Sequence, residues 1–389
     1  MNGYDALLAA ALVLPPTVLF LLGKRLERGL DSLDTEARVR RGYLMSKLTS
    51  AISSIQIIGF MALSIAFGDE MALMPELWNL PLDALSAIGQ VSTPWVGLAI
   101  ALVIMFGLLG ANLLLLMLPS MHLSQKIRKL TGVTRTHIRL SARATLLSFV
   151  PMMIWLGIVF ALPSWVMSSP TLIPLLLAAF LAVLYSVAPL QVAVLYPTER
   201  MADEHPVVQM AQELCRQAGV RVTGIRILKF GELKVANAMV SGLLPWFRRI
   251  YVSDTMLETF TLNEIRAVLA HEVGHVKHRH LFYYLAFALA ASPIIQALNV
   301  PLAGMLGKDW VVLGGMGGLL VYWGVIFSFA SRIFERQADR YALEATGDVQ
   351  TLQAALEKLA TVNGAAKKYS KWDIFNTHPA VSERIRAIS

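Results

Sequence analysis

Seven apolar stretches dominate the sequence and constrain its fold more than any other feature. A helix of about 20 residues spans the hydrocarbon core of a bilayer. Only 15% of the 389 residues are charged and 56% are hydrophobic, which excludes an ordinary soluble enzyme and a disordered chain. We therefore predict a mainly α-helical, polytopic membrane protein with about seven transmembrane helices. The stretches lie at residues 4–22, 48–68, 94–118, 144–162, 171–195, 281–303 and 310–331.

The connecting loops alternate in charge along the chain. Loops 23–47 and 119–143 are rich in Lys and Arg, whereas loops 69–93 and 163–170 contain neither. Basic loops stay on the cytoplasmic side of a membrane, so the alternation predicts an outside N-terminus and a cytoplasmic C-terminus. We expect a bacterial inner membrane or an equivalent one. The net charge of +8 is explained by these loops, and we expect the lipid bilayer, not nucleic acid, as a partner.

Two long polar segments interrupt the spans, and both fall on the predicted cytoplasmic side. Helical and β-rich patterns within them predict a small α+β domain divided between the two segments. The predicted division is five N-terminal transmembrane helices in 1–195, a first cytoplasmic part in 196–280, a transmembrane hairpin in 281–331 and a second cytoplasmic part in 332–389.

The sequence His-Glu-Val-Gly-His at residues 271–275 lies on a predicted helix, Leu262–His280. Residues four apart share one helix face, so His271 and His275 can reach one metal ion with Glu272 beside it. We expect one Zn²⁺ per chain because nitrogen and oxygen ligands suit this ion. The single cysteine, Cys215, excludes a cysteine-based metal cluster and an intramolecular disulfide. The simpler alternative is a group of solvated polar residues near a membrane surface.

A catalytic zinc site needs a third protein ligand and an open position for water. Glu335 and Asp339 lie four residues apart on a second predicted helix, and Glu335 follows His275 by 60 residues. The two intervening spans form a hairpin that returns the chain to the same side of the membrane. Glu335 is therefore our candidate third ligand. The alternative is that both carboxylates pair with neighbouring arginines.

With these motifs the chain resembles the integral-membrane zinc endopeptidases that include the CAAX prenyl endopeptidase and the bacterial heat-shock protease HtpX. Its predicted topology is most similar to that of the CAAX prenyl endopeptidase. The resemblance implies a gluzincin-type zinc protease domain fused to membrane helices. It rests on four segments: 237–239 (Asn-Ala-Met), 271–275, 335–339 (Glu-Arg-Gln-Ala-Asp) and 377–385 (Thr-His-Pro-Ala-Val-Ser-Glu-Arg-Ile).

The resemblance also implies roles for individual residues outside the His-Glu-Val-Gly-His motif. It makes Glu335 the third zinc ligand and Asp339 the carboxylate that orients a zinc-bound histidine, His271. It places Asn237 and Ala238 on the sheet edge, where an extended substrate can add as a further strand.

The C-terminal segment contributes two more candidates, His378 and Arg384. Pro379 predicts that His378 lies in a turn and Arg384 in a short terminal helix. In the resembled family both positions face the zinc. His378 could there donate a hydrogen bond to the developing oxyanion, and Arg384 could pair with a carboxylate of the site or hold a substrate carboxylate. The alternative is a solvated tail.

These observations predict a zinc metalloendopeptidase that hydrolyses peptide bonds of peptide or protein substrates, with Glu272 as general base. A CAAX-type processing protease is the first expectation, and an HtpX-like quality-control protease that degrades membrane proteins is the alternative. A transporter or a non-catalytic adaptor with a metal-binding domain is the alternative from another class. No acidic or basic residue lies in the middle of a predicted span, which argues against ion-coupled transport.

Two further histidines, His278 and His280, follow the motif. They lie beside Lys277 and Arg279 at the predicted start of a membrane span. We expect them to anchor the helix at the membrane interface, not to bind a second metal.

Overall fold

The computed structural model describes residues 3–66, 94–167, 169, 172–306, 314, 317–318, 321–365 and 381–388. Most of these residues are helical, as the sequence predicts, and the strands form one small sheet. The first helices are α1 (Gly3–Glu27), α2 (Thr35–Ala66), α3 (Pro94–Ile127), α4 (Thr134–Ala161), α5 (Ser164–Met167), α6 (Leu172–Ser186) and α7 (Ala188–Leu195). The later helices are α8 (Pro206–Ala218), α9 (Asp254–Thr259), α10 (Leu262–Lys277), α11 (His280–Leu306), α12 (Ser328–Thr346), α13 (Val349–Asn363) and α14 (Val381–Ile388).

Within the described residues, two helical segments are long and apolar enough to cross a membrane, Gly107–Ile127 and Thr134–Val159. A third span exists if Leu175–Ser186 and Ala188–Leu195 act together, although they meet at a bend of 53°. The bend coincides with a proline near the start of α7, which cannot continue the hydrogen-bond pattern of α6. The seven predicted spans therefore stay a prediction.

The strands β1 (Thr198–Arg200), β2 (Ile225–Leu228), β3 (Ala238–Ser241) and β4 (Arg249–Ser253) form a sheet in the order β1-β2-β4-β3. Strands β2 and β4 run parallel, whereas β1 and β3 pair antiparallel with their neighbours. Two hydrogen bonds connect the sheet region to the bent helix pair. Tyr251 Oη donates to Pro189 O over 3.1 Å, and Leu243 N donates to Tyr185 O over 3.3 Å.

Helices α8, α10, α12 and α13 enclose one hydrophobic core with the sheet. Buried side chains come from each of these elements, among them Leu214, Ile250, Leu269, Ala342 and Leu356. The two parts of the chain that the sequence assigns to the cytoplasm thus contribute to a single core. The boundaries of the four predicted domains themselves stay a prediction.

Candidate metal centre

Helix α10 begins at a capping box. The Thr261 side chain accepts a hydrogen bond from Glu264 N, and the Glu264 carboxylate accepts one from Thr261 N over 2.7 Å. Lys358 Nζ of α13 lies 2.8 Å from the same carboxylate. These contacts hold the first turn of α10 against α13 and so fix the direction in which the rest of α10 points.

His271 and His275 lie one turn apart on α10, and their Nε2 atoms are 3.2 Å apart. His271 is buried, whereas His275 and Glu272 are half-buried. The negative charge of Glu272 helps to raise the pKa of Arg384, so this carboxylate belongs to the same group of side chains. The helical spacing therefore gathers all three polar residues of the motif on one side of α10.

Helix α12 supplies two carboxylates, Glu335 and Asp339, each with a side chain only 1% exposed. The Glu335 oxygens lie 3.6 Å from Nε2 of His271 and 3.6 Å from Nε2 of His275. The close approach of the two helices is possible because Gly274 of α10 faces the Ala338 backbone, where a Cβ would lie 3.1 Å from Ala338 Cα.

Asp339 fixes the orientation of the His271 ring. His271 Nδ1 donates to Asp339 Oδ1 over 2.8 Å, so its Nε2 is left with the lone pair that points towards His275 and Glu335. Arg384 of α14 holds Asp339 from the other side. Its Nε and Nη2 donate to the two Asp339 oxygens over 2.9 and 2.6 Å, a bidentate pair, and its Nη1 lies 3.7 Å from Glu335.

Burial and neighbouring charges set the protonation states here. Burial, reinforced by His271, lowers the pKa of His275 to about 3, so the imidazole is neutral at pH 7. Burial alone would raise the pKa of Asp339, but the Arg384 charge and the His271 hydrogen bond outweigh it and hold that pKa well below its usual range. The pKa of Arg384 is raised overall, because burial lowers it but the negative charge of Asp339 raises it by more.

The residues present fit a bound divalent cation. One donor atom from each of His271, His275 and Glu335 lies within 4.8 Å of the other two. Nε2 of His271 and Nε2 of His275 lie 3.2 Å apart and face the Glu335 carboxylate together. The carboxylates of Glu335 and Asp339, with Arg384, give a net negative charge in a buried place, which a divalent cation offsets. Nitrogen and oxygen donors of this kind suit zinc.

The predicted substrate-binding residues lie at the end of the sheet. Strand β3 pairs with β4 and is the last strand in the sheet order. Asn237 precedes β3 and forms two hydrogen bonds with Ser253 of β4. Asn237 N donates to Ser253 Oγ over 2.9 Å, and Ser253 N donates to Asn237 O over 2.8 Å. Ala238, the first residue of β3, is buried in the domain core. The backbone at this edge is therefore held rigidly.

One predicted site residue, His378, lies outside the described residues. Arg384 lies in the terminal helix α14, where the sequence expects it. Of the two roles open to Arg384, the structure shows the pairing with a carboxylate of the site, Asp339.

The sequence interpretation of His280 is wrong, and so is the predicted end of the motif helix. Helix α10 ends at Lys277. Arg279 then adopts a left-handed backbone (φ 57°), and a new helix begins at His280. His280 is 1% exposed, and its Nδ1 lies 2.8 Å from Nδ1 of His275, so it contacts the site instead of the membrane interface. The only sequence signal is its position five residues after His275.

A His-His-Glu donor set with an adjacent glutamate, carried on two packed helices beside a small sheet, is the arrangement of a metallopeptidase domain. The family comparison agrees: residues 201–389 match the model of peptidase family M48. This part of the chain is similar to that family.

Relatives with known names support the assignment. A protease HtpX homolog of Aeropyrum pernix is 29% identical over 203 residues, 48% of this chain and 62% of that protein. A protease HtpX homolog of Thermoplasma acidophilum is 25% identical over 60% of this chain and 78% of its own length. Protease HtpX of Legionella pneumophila is 28% identical over 48% of this chain and 68% of its own length. The match thus spans less than two thirds of the Aeropyrum pernix protein.

The fold as a whole is similar to that of a solved structure. The crystal structure of S. mikatae Ste24p superposes with a TM-score of 0.62, covering 100% of this chain and 99% of that chain at 18% identity. This likeness extends to the N-terminal helices that the family model does not cover.

Proposed function

We propose that this protein is a membrane-embedded zinc endopeptidase. The observation that carries the proposal is the convergence of His271, His275 and Glu335 within 4.8 Å in a buried, net-negative place. The M48 domain and the HtpX relatives support the same class. They disfavour a transporter or an adaptor without catalytic activity.

In this proposal His271, His275 and Glu335 hold the zinc ion. Bound zinc would lower the pKa of a coordinated water to about 7 and polarise the scissile carbonyl. Glu272 accepts a proton on its carboxylate from the attacking water and later delivers it to the leaving amine nitrogen. Asp339, held by Arg384, keeps the Nδ1 proton of His271 in place so that Nε2 stays available as a ligand.

The substrate would bind as an extended strand along β3. Among the described residues no strand pairs with the outer side of β3, and a peptide bound there would form main-chain hydrogen bonds with it. Asn237 and Ala238 would contact the substrate nearest to the start of β3. His378 would donate a hydrogen bond to the developing oxyanion, a role typically worth about 10²–10³ in rate.

We further propose that all seven apolar stretches cross the membrane, with the metal centre in the cytoplasm. The fold likeness to Ste24p over the whole chain supports a set of membrane helices beyond the two or three that length and composition identify. An impermeant thiol reagent applied from outside should label a cysteine introduced in loop 69–93 but not one in loop 119–143. Labelling of the cysteine in loop 119–143 would show that the proposed orientation is wrong.

The activity is tested with the Glu272→Gln variant. Removal of the base at nearly constant volume should lower peptide cleavage by more than about 10²-fold while zinc and fold are retained. Glu258→Gln, at an exposed glutamate of α9, is the matched control and should keep full activity. If Glu272→Gln keeps wild-type activity, the general base lies elsewhere. If His271→Ala with His275→Ala keeps its zinc, the metal centre is wrongly assigned.

The choice between processing and degradation depends on the natural substrate. We favour a membrane-associated peptide or protein substrate, because the metal centre lies in the domain that is connected directly to the membrane helices. Proteomic comparison of cells that carry wild-type protein and the Glu272→Gln variant would identify it: a few discrete accumulated precursors indicate processing, and a broad set of misfolded membrane proteins indicates an HtpX-like role.

A further inference from the structure

A chain of two hydrogen bonds connects the candidate ligand His275 to the protein surface. Nδ1 of His275 lies 2.8 Å from Nδ1 of His280. Nε2 of His280 lies 2.9 Å from Oε1 of Gln337, an exposed residue of α12. The proposed function assigns no role to His280 or to Gln337.

The acceptor at the end of this chain determines where each proton lies. Gln337 Oε1 can only accept, so His280 donates from Nε2. A neutral imidazole carries one proton, so His280 Nδ1 keeps a lone pair and accepts from Nδ1 of His275. Nε2 of His275 is then unprotonated, and this is the atom that faces His271 Nε2 at 3.2 Å and Glu335 at 3.6 Å.

We infer that His280 and Gln337 are positioning residues that fix the tautomer and ring orientation of His275 for metal binding. The inference rests on the proposed function, since it deepens the description of the same metal site. It gives each histidine ligand its own orienting partner, Asp339 for His271 and His280 for His275. Such outer partners typically contribute 10- to 100-fold to metal affinity.

The packing around His280 supports a fixed position for its ring. Phe334 of α12 stacks on the imidazole with centroids 4.5 Å apart and planes inclined by 15°. His278 stacks with centroids 5.7 Å apart and an angle of 18°. These contacts hold the plane of the ring, and within that plane Nδ1 faces His275 while Nε2 faces Gln337.

The orientation of the Gln337 amide is the decisive feature. With the amide turned over, its NH₂ group would donate to His280, both histidine protons would move, and Nε2 of His275 would carry a proton and could not bind metal. A glutamate at this position can only accept, so Gln337→Glu preserves the inferred proton arrangement. Gln337→Met keeps the length of the side chain and removes the acceptor.

The test measures Zn²⁺ affinity of the purified full-length protein by competition with a chelator, together with the melting temperature of the metal-free protein. Gln337 is exposed, so its variants should fold normally. We expect Gln337→Met to weaken zinc binding by about tenfold and His280→Phe, which keeps the ring, by about 10- to 100-fold. Gln337→Glu should bind within about twofold of wild type, and the matched control Gln350→Met on α13 should not change.

Wild-type affinity in both His280→Phe and Gln337→Met would overturn the inference, as would equal losses in Gln337→Glu and Gln337→Met. These results differ from a failure of the proposed function, in which wild-type protein binds no stoichiometric zinc or His275→Ala retains it. Should His280→Phe fail to fold, the comparison of the two Gln337 variants decides alone.

Discussion

Gly274 offers the sharpest test of how the packing of α10 and α12 forms the metal centre. A Cβ added at this position would lie 3.1 Å from Ala338 Cα, 3.1 Å from Tyr341 Cδ1 and 3.3 Å from Ala338 O. Two of these atoms belong to the backbone and cannot turn aside. In Gly274→Ala, helix α12 must therefore move away from α10 by a few tenths of an ångström.

Two opposing effects set the stability change. Overpacking of a close contact costs about 1–3 kcal/mol, whereas alanine in place of glycine within a helix contributes about 1 kcal/mol. The net change in the free energy of unfolding should be a loss of about 0–2 kcal/mol. The effect on metal binding should be larger, because Ala338 lies on α12 between Glu335 and Asp339. We expect zinc affinity to fall about tenfold or more, as when the support of a metal ligand is lost.

The assay combines thermal unfolding with chelator competition on the same preparations. The control is Gly157→Ala in α4, where an added Cβ meets no atom within 4 Å. It should leave zinc affinity unchanged and should not lower stability. If Gly274→Ala is more stable than wild type by about 1 kcal/mol and binds zinc equally well, the close contact does not control the position of Glu335, and the argument fails.

Three further predictions concern the groups around the core. Asp339→Asn leaves the partly buried Arg384, whose side chain is 14% exposed, without its bidentate partner. Unfolding assays should show a loss of about 3–5 kcal/mol in the free energy of unfolding, and a smaller loss for the double variant that also carries Arg384→Gln. Burial acts to raise the pKa of Glu264, but Lys358 and the capping hydrogen bond outweigh it and hold that pKa below 4.5. The carboxylate's roughly 1 kcal/mol of stabilisation is therefore present above that pH and is lost as the pH falls through the lowered pKa. Glu264→Gln should have a lower melting temperature than wild type at pH 7, and the difference should be much smaller at pH 3. Burial raises the pKa of the Cys215 thiol to about 11, so maleimide should label it very slowly in the native protein, and rapid labelling would contradict its burial.

The parts of the site that depend on local sequence could be predicted. The spacing of His271 and His275 acts within one helix, so the pattern alone indicates that these side chains share a face. Glu335 lies 60 residues further on, and its approach to the histidines could be expected only from the hairpin that the two intervening apolar stretches predict. The helix that carries it, Ser328–Thr346, ends at Gly347, which adopts a left-handed backbone.

Contacts between distant elements could not be read in the same way. The bidentate pair of Arg384 with Asp339 joins residues 45 positions apart. From the sequence, Arg384 could pair either with a carboxylate of the site or with a substrate carboxylate, because a guanidinium binds both in the same way. The choice follows from the packing of α14 against the domain core, through Val381, Ile385 and Ile388.

His280 was missed because the backbone at Arg279 breaks the helical periodicity. On a continuous helix, residues five apart point about 140° away from each other, so His280 could not face His275. The left-handed conformation at Arg279 removes this constraint, and such a conformation is uncommon outside glycine and asparagine, so the sequence carries no signal for it. The same junction is where the domain helix α10 meets α11, a predicted membrane span. Because His280 is the first residue of α11, any displacement of that helix relative to α10 moves the hydrogen-bond partner of His275. The first residue of this predicted membrane segment is therefore in direct contact with the metal centre.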